Sequence, residues 1–475
     1  MPQPIHLNGI NGSTGQSLDN FQLTAELLAK VARRKKLSGA DLRDAKLRKA
    51  QDQRSKYHFG VSEGIDIGDL SQAGWGVIFP ASLLEDQTLA LKDALSPLLT
   101  LRHQQASRIN PNFYKEFIGP ALGYRAGESK NDFLRRYGRG PGAANPQSGI
   151  PFYLLIVGSP EEIPFEFQHQ LDLQYGVGRI HFDKLEDYAI YAQSVVSAEK
   201  EKITLEKKAT FFGPSHDYVT GLSSRNLVSP LAEKVLTQYT DWNVRVISPA
   251  ESTKSTMSNV IGGNETPALL FTASHGLGFN LSDPRQIAHT GALLCQDFSN
   301  YTGGPISEEF YFSADDVLAN ANVAGMLAFF FACYGAGSPR TDSFFHGAWD
   351  EEKVIAPYAF LSRLPLRMLS HPTGGALGVF AHVDRAWAYS FMWDDSLAIT
   401  DVETFRSMLG ALLNGKPAGA ASDYFGARYG EIAAQLSEEI DSTTPEHQDD
   451  LKIAWWWTAN NDARNYTFIG DPAVR

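Results

Sequence analysis

At 475 residues the chain is long enough for two or three domains, or for one large α/β unit with an appendage. Its 43% hydrophobic and 20% charged residues are the composition of a folded soluble protein. A formal net charge of −12 argues against bulk binding to nucleic acid or to an acidic membrane, and no apolar run approaches the roughly 18 residues of a membrane span.

The start, Met1-Pro2-Gln3-Pro4-Ile5-His6, has neither a basic n-region nor an apolar h-region, so no secretory signal is expected. Residues 1–65 differ from the rest: Leu23 to Lys56 is polar, Ala-rich and dense in Lys, Arg and Asp, with apolar residues at helical spacing. This reads as an N-terminal helical appendage. It is either solvated or a docking arm for a regulatory protein partner or for the chain's own active-site face.

From about residue 70 an α/β rhythm begins. Strands are expected at Trp75–Phe79, Phe152–Val157, Ala209–Phe212, Val244–Ile247, Ala268–Ala273, Met326–Ala332 and Ala376–Ala381. Helices are expected at Leu83–Leu95, Leu185–Lys202, Val228–Tyr239, Val402–Leu413 and Tyr424–Ile440. Continuous rather than alternating apolar strands imply a mostly parallel sheet covered by helices on both faces. The division is 1–65 for the appendage, 66–150 for an N-terminal α/β subdomain and 151–475 for a catalytic domain. Two stretches read as loops. Arg125–Gly149 carries Arg135, Arg136 and Arg139 among glycines and is a candidate self-cleavage site; Asn280–Ser313 is rich in Gly, Ser and Asp.

Two motifs close strand-like runs. Ala268–Ala273 leads into Ser274-His275-Gly276, and Met326–Ala332 leads into Cys333-Tyr334-Gly335-Ala336-Gly337. Open α/β sheets place reactive groups at such strand ends, and a thiol within reach of an imidazole is a nucleophile with its base. The N–H groups of Gly276 and Cys333 can face an oxygen that develops negative charge. The His precedes the Cys by about 58 residues, near the roughly 50-residue separation of caspases. There are only two cysteines, Cys295 and Cys333, so no disulfide framework exists and a reducing, cytoplasmic setting is expected. No Cys/His cluster has zinc-ligand spacing and no phosphate loop is present, so neither metal nor nucleotide is expected.

Ser274-His275-Gly276 and Ala332-Cys333-Tyr334-Gly335 resemble the His-Gly and Ala-Cys-x-Gly motifs of the caspase-like superfamily, with the nearest likeness to gingipain-type and CHAT domains. Three further segments carry the resemblance. Tyr153–Gly158 is followed by Glu161-Glu162-Ile163-Pro164; Leu171–Ile180 contains Asp172, Tyr175-Gly176 and Gly178-Arg179; the C-terminus holds Gly470-Asp471-Pro472. The resemblance covers roughly residues 70–475. It implies a caspase-like three-layer α/β/α fold with two α/β subdomains, acting as a cysteine endopeptidase on proteins or peptides. Cys333 would be the nucleophile and His275 the proton carrier. Glu162 would orient the histidine. Asp172 would sit at the bottom of the primary specificity pocket and select Arg or Lys. Asp384 is a weaker pocket candidate, since Arg385 can neutralise it, and Trp387 and Trp393 are candidates to line subsites. Calcium is used by relatives, although no EF-hand pattern occurs here. The rival reading is a catalytically silent caspase-like scaffold that acts by binding a partner. Trp455-Trp456-Trp457 is assigned to core packing.

Overall fold

The computed structural model describes residues 7–18, 25–34, 61–140, 142–200, 205–300, 303–345, 352–392, 400–442 and 450–475. Their strands are β1 (Gly9–Asn11), β2 (Trp75–Ile78), β3 (Tyr114–Phe117), β4 (Tyr153–Val157), β5 (Gly176–Ile180), β6 (Lys208–Phe212), β7 (Asn243–Val246), β8 (Leu269–Ala273), β9 (Gly276–Gly278), β10 (Leu293–Leu294), β11 (Tyr311–Phe312), β12 (Leu327–Phe331), β13 (Gly337–Ser338), β14 (Phe360–Leu361), β15 (Gly378–His382) and β16 (Tyr466–Gly470).

Ten strands form one sheet in the order β3-β2-β4-β5-β16-β15-β12-β8-β6-β7. Every residue of β4, β5, β8, β12, β15 and β16 is buried. Successive side chains of a strand point to opposite faces, so both faces are covered, as continuous apolar strands require. All neighbouring pairs are parallel except β15–β16. Two parallel blocks of opposite direction therefore meet there.

The seven strands expected from the apolar runs all form. The boundary expected at 150/151 does not divide the sheet. Residues 66–150 supply β2 and β3, which pair directly with β4 and with one another. The first block instead runs through β5 and is completed by β16 from the C-terminus.

A buried ionic knot ties the two ends of this block. Asp471 of the Gly-Asp-Pro segment accepts from Arg102 Nε (2.6 Å) and Trp75 Nε1 (2.9 Å). Arg102 also forms a two-pronged pair with Glu199, joining helix Glu85–Ala106 to helix Leu185–Lys200. Burial alone would lower the Arg102 pKa, but the two carboxylates hold the guanidinium firmly charged.

The described N-terminal helix is not a free appendage. Helix Ala25–Arg34 packs on helix Asp450–Arg464 and buries Leu28, Ala29, Val31 and Ala32; Arg33 pairs with Asp450 at 2.5 Å. Those four side chains belong to the chain's own core. Residues 35–60, the rest of the expected helical stretch, lie outside the described residues. Trp457 of the same C-terminal helix is buried, as core packing requires.

Arg135 and Arg136 also lie elsewhere than expected. They end helix Lys130–Arg136, where Arg135 pairs with Asp132 and Arg136 with Glu128. A helical, ion-paired segment is a poor fit to an extended peptidase site.

Replacing Arg102 by Ala leaves Asp471 and Glu199 without their cation in a dry site. We expect a loss of about 3–5 kcal/mol, read as a lower urea midpoint. A midpoint within error of the parent would show that the knot does not hold the two ends together.

Candidate active site

The site is built where β8 and β12 end side by side. Their parallel register pairs Ala273 with Phe331, and Ser274 N–H donates to Phe331 O at 3.1 Å. His275 and Gly276 follow directly, as Ala332 and Cys333 follow on the neighbouring strand. Gly276 lies flat on the Cys333 backbone: a Cβ there would stand 1.8 Å from Cys333 O and 2.6 Å from its N. Only glycine fits this approach.

Cys333 is fully buried at 0% exposure. Ala386 N–H donates to its Sγ at 3.1 Å, and the thiol in turn faces Ala386 O at 3.7 Å. The chain leaves the thiol through Tyr334 at φ 58°, and Tyr334 N–H donates to the carbonyl of Asp384 at φ 70° (2.6 Å). These are the two non-glycine residues with positive φ among the described residues, and backbone strain concentrates at sites that must aim a group.

His275 is 2% exposed. Its Nε2 stands 2.6 Å from Asp217 Oδ2. Asp217 also caps helix Tyr218–Ser223, accepting from Thr220 N–H at 2.8 Å and from its hydroxyl at 2.7 Å. Burial works against the Asp217 charge, but the bond and charge of His275 and the Thr220 donors hold its carboxyl far below the usual range. An ionised carboxylate only accepts, so Nε2 must carry the proton. The other ring nitrogen, Nδ1, is buried without a hydrogen-bond partner.

The adjoining His216 packs its ring 5.5 Å from that of His275. Burial first, and then the charge of His275, push His216 down to about 3, so it stays neutral. His216, Asp217 and His275 hold three ligand atoms within 4.8 Å of one another, a grouping that could also take a metal ion.

The N–H groups of Gly276 and Cys333 converge on one oxygen, the carbonyl of Asn8, at 3.2 and 3.4 Å. Two backbone donors on one carbonyl beside a thiol is the arrangement that stabilises a tetrahedral oxyanion.

The side chains of the other expected site residues are engaged in other ways. Glu162 closes its own turn, accepting from Ser159 N–H and hydroxyl at 2.9 Å each, and the acid on His275 is Asp217. Asp172 is the C-cap of helix Phe165–Leu171 and lines a cavity with His169, Phe380, Phe425, Arg464 and Tyr466; none of these is a residue of the thiol–imidazole site. Asp384 is buried and paired with Arg385 at 3.0 Å, while Arg385 also grips Asp342. Its charge is therefore answered before any substrate arrives. The indole of Trp387 is buried against Phe344, its ring 5.0 Å away; what it offers the site is backbone. Trp393 lies outside the described residues. Cys295 bonds Leu293 O, and burial pushes its thiol well up, which marks a structural cysteine.

No family model and no curated protein matches the chain. Two solved structures resemble it. One is described as "Structure of Protease", with 14% identity over 86% of this chain and 79% of that one, at TM-score 0.49. The other is "Complex of Porphyromonas gingivalis RgpB pro- and mature domains", with 13% identity over 85% and 80%, at TM-score 0.45.

Behind Trp387 lies Asp462, which accepts from Trp387 N–H at 2.8 Å and sits 3.6 Å from His382 Nε2. Burial pushes its carboxyl up to about 7, against the charge of Arg428 and the bonds from Ser390 and Trp387. An unfolded Asp titrates near about 3.9, so between these values the folded state binds more protons. The contribution of Asp462 to stability should fall as pH rises from about 4 to about 7 and level off above, opposite in sign to that of the buried neutral His216 and His382. Melting curves of Asp462→Asn should lose that slope. A slope equal to the parent's would remove Asp462 as its source.

Proposed function

We propose that the chain is a caspase-like cysteine endopeptidase of the gingipain and CHAT type. The observation that carries this is the convergence of the Gly276 and Cys333 N–H groups on a single carbonyl oxygen beside Sγ. Those two N–H groups were the ones the motifs singled out. Cys333 attacks a peptide carbonyl. The two N–H groups hold the oxygen as it becomes an oxyanion. His275 moves the proton through Nδ1 to the departing amine and then takes one from the deacylating water. Asp217 acts through His275, fixing its tautomer and stabilising the imidazolium. Neither Cys295 nor Cys333 is tied up in a disulfide, and a reducing compartment would keep the nucleophile available.

The preference for Arg or Lys expected from Asp172 is not part of this proposal. A residue placed as Asn8 is directs its side chain to the carbonyl oxygens of Ser274 and Phe331, and Asp172 borders a different cavity. The silent-scaffold reading is favoured by one observation, the complete burial of Cys333, and it makes the opposite prediction for the thiol.

Cys333→Ala should abolish cleavage of a diverse peptide library while leaving the melting temperature unchanged. Asp217→Asn should lower kcat/KM by about 10²–10⁴, with a shifted pH profile. Cleavage by Cys333→Ala at the parent rate would end the thiol mechanism.

A chelator should leave the activity as it was, because no step uses a metal. Activity lost to chelation and restored by zinc would assign His216, Asp217 and His275 to a metal instead.

A further inference from the structure

We infer that the peptide bond between Asn8 and Gly9 is a substrate of the chain's own Cys333, so that the site takes an asparagine before the cut and a glycine after it. This rests on the peptidase reading and specifies its substrate.

Residues 7–11 run through the site in the manner of a bound peptide. On the acyl side, Leu7 forms an antiparallel bridge with Trp387, and Asn8 N–H donates to Ala386 O at 2.9 Å. Ala386 is also the residue whose N–H meets Sγ, so one short segment aligns both peptide and nucleophile. The Asn8 carbonyl takes both oxyanion donors. On the amine side, β1 continues parallel to β9 in the register Gly9–Gly276, Ile10–Leu277 and Asn11–Gly278. The peptide is therefore held on both sides of one carbonyl, which is what positioning for attack demands.

Two side-chain positions select for this sequence. The Asn8 side chain is 1% exposed, and its Nδ2 donates to Ser274 O at 2.8 Å and Phe331 O at 3.4 Å. Two backbone carbonyl oxygens at strand ends accept only donors. A carboxylate of the same shape would bring acceptor against acceptor in a dry site. At Gly9 a Cβ would stand 2.6 Å from Sγ and 2.8 Å from Cys333 Cβ, so the thiol approaches this position as closely as glycine permits.

The chemistry balances without a co-reactant beyond water. The Cys333 thiol gives its proton to His275 Nδ1 as Sγ adds to the Asn8 carbonyl carbon. The bond to Gly9 N breaks as that nitrogen takes a proton from His275, leaving a thioester. Water, giving a proton to His275, then releases the Asn8 carboxylate and regenerates the thiol. The two products are anchored differently. Gly9 stays in β1, with Ile10 buried among Leu277, Phe279 and Leu294 and with Gly12 N–H bonded to Gly278 O at 2.7 Å. On the acyl side, Leu7 and Asn8 keep their contacts with Trp387, Ala386, Ser274 and Phe331. Departure of the segment ending in Asn8 empties that side for a substrate in trans.

The test follows the N-terminus of the full chain by intact mass and peptide mapping. Wild type, Cys333→Ala and Asn8→Asp are incubated in reductant, and the same samples are assayed on a diverse peptide library. Wild type should accumulate a species beginning at Gly9, Cys333→Ala should not, and Asn8→Asp should accumulate it at least ten-fold more slowly. Library cleavage that depends on Cys333 while Asn8 stays joined to Gly9 would overturn this inference and leave the peptidase reading standing. So would a Gly9 terminus that forms equally in Cys333→Ala. The absence of Cys333-dependent cleavage of any peptide would reject the peptidase reading itself and this inference with it. Equal rates for wild type and Asn8→Asp would refute the amide-selective pocket.

Discussion

Parallel pairing of β8 with β12 fixes everything that the candidate site can do. Register sets Ala273 beside Phe331, and the two residues beyond each strand end become neighbours without further design. Because Gly276 has no Cβ, its backbone settles onto that of Cys333. The two N–H groups then point the same way. Neither donor belongs to a flexible loop, since both are extensions of buried strands in the middle of a ten-stranded sheet. Donors held this way need no reorganisation when charge appears on the oxygen between them.

The same rigidity explains why the site is closed. The main chain of Asn8, Gly9 and Ala386 lies against Cys333. Covering backbone must be hydrogen-bonded, and here its partners are main-chain groups of Ala386, Gly276 and Cys333. A main chain that covers the thiol in this way takes on, in the proposed reading, the geometry of a bound peptide. The four-stranded sheet of β1, β9, β10 and β11 makes the seal durable on the amine side. The loop Asn280–Ser313 builds β10 and β11, so the long segment between the two motifs supports the site from beneath.

Apolar runs made the sheet legible because buried parallel strands need continuous hydrophobic side chains. Strands β3, β5 and β16 escaped that signal: Tyr114–Phe117 carries Lys115 and Glu116, and Gly176–Ile180 carries two glycines and the buried Arg179. The placement of Cys333 and His275 at two strand ends was legible because the apolar runs stop directly before them. Asp217 obeys the same rule and was missed. It follows β6, the neighbour of β8, in Phe212-Gly213-Pro214-Ser215-His216-Asp217. Reading every strand end for acids, rather than the segment with the family-like Glu162, would have found it. The role of Asn8 had no signal in the sequence: its identity is ordinary, and only the fold brings residue 8 next to residues 276 and 333.

The most direct measurement is a crystal structure of the full chain carrying Cys333→Ala, which keeps the backbone donor and removes the thiol. The account predicts an intact bond between Asn8 and Gly9, with the Asn8 carbonyl oxygen within hydrogen-bond distance of both the Gly276 N–H and the N–H of residue 333. Residues 7–11 lying elsewhere, with those two N–H groups facing water or diverging, would contradict it.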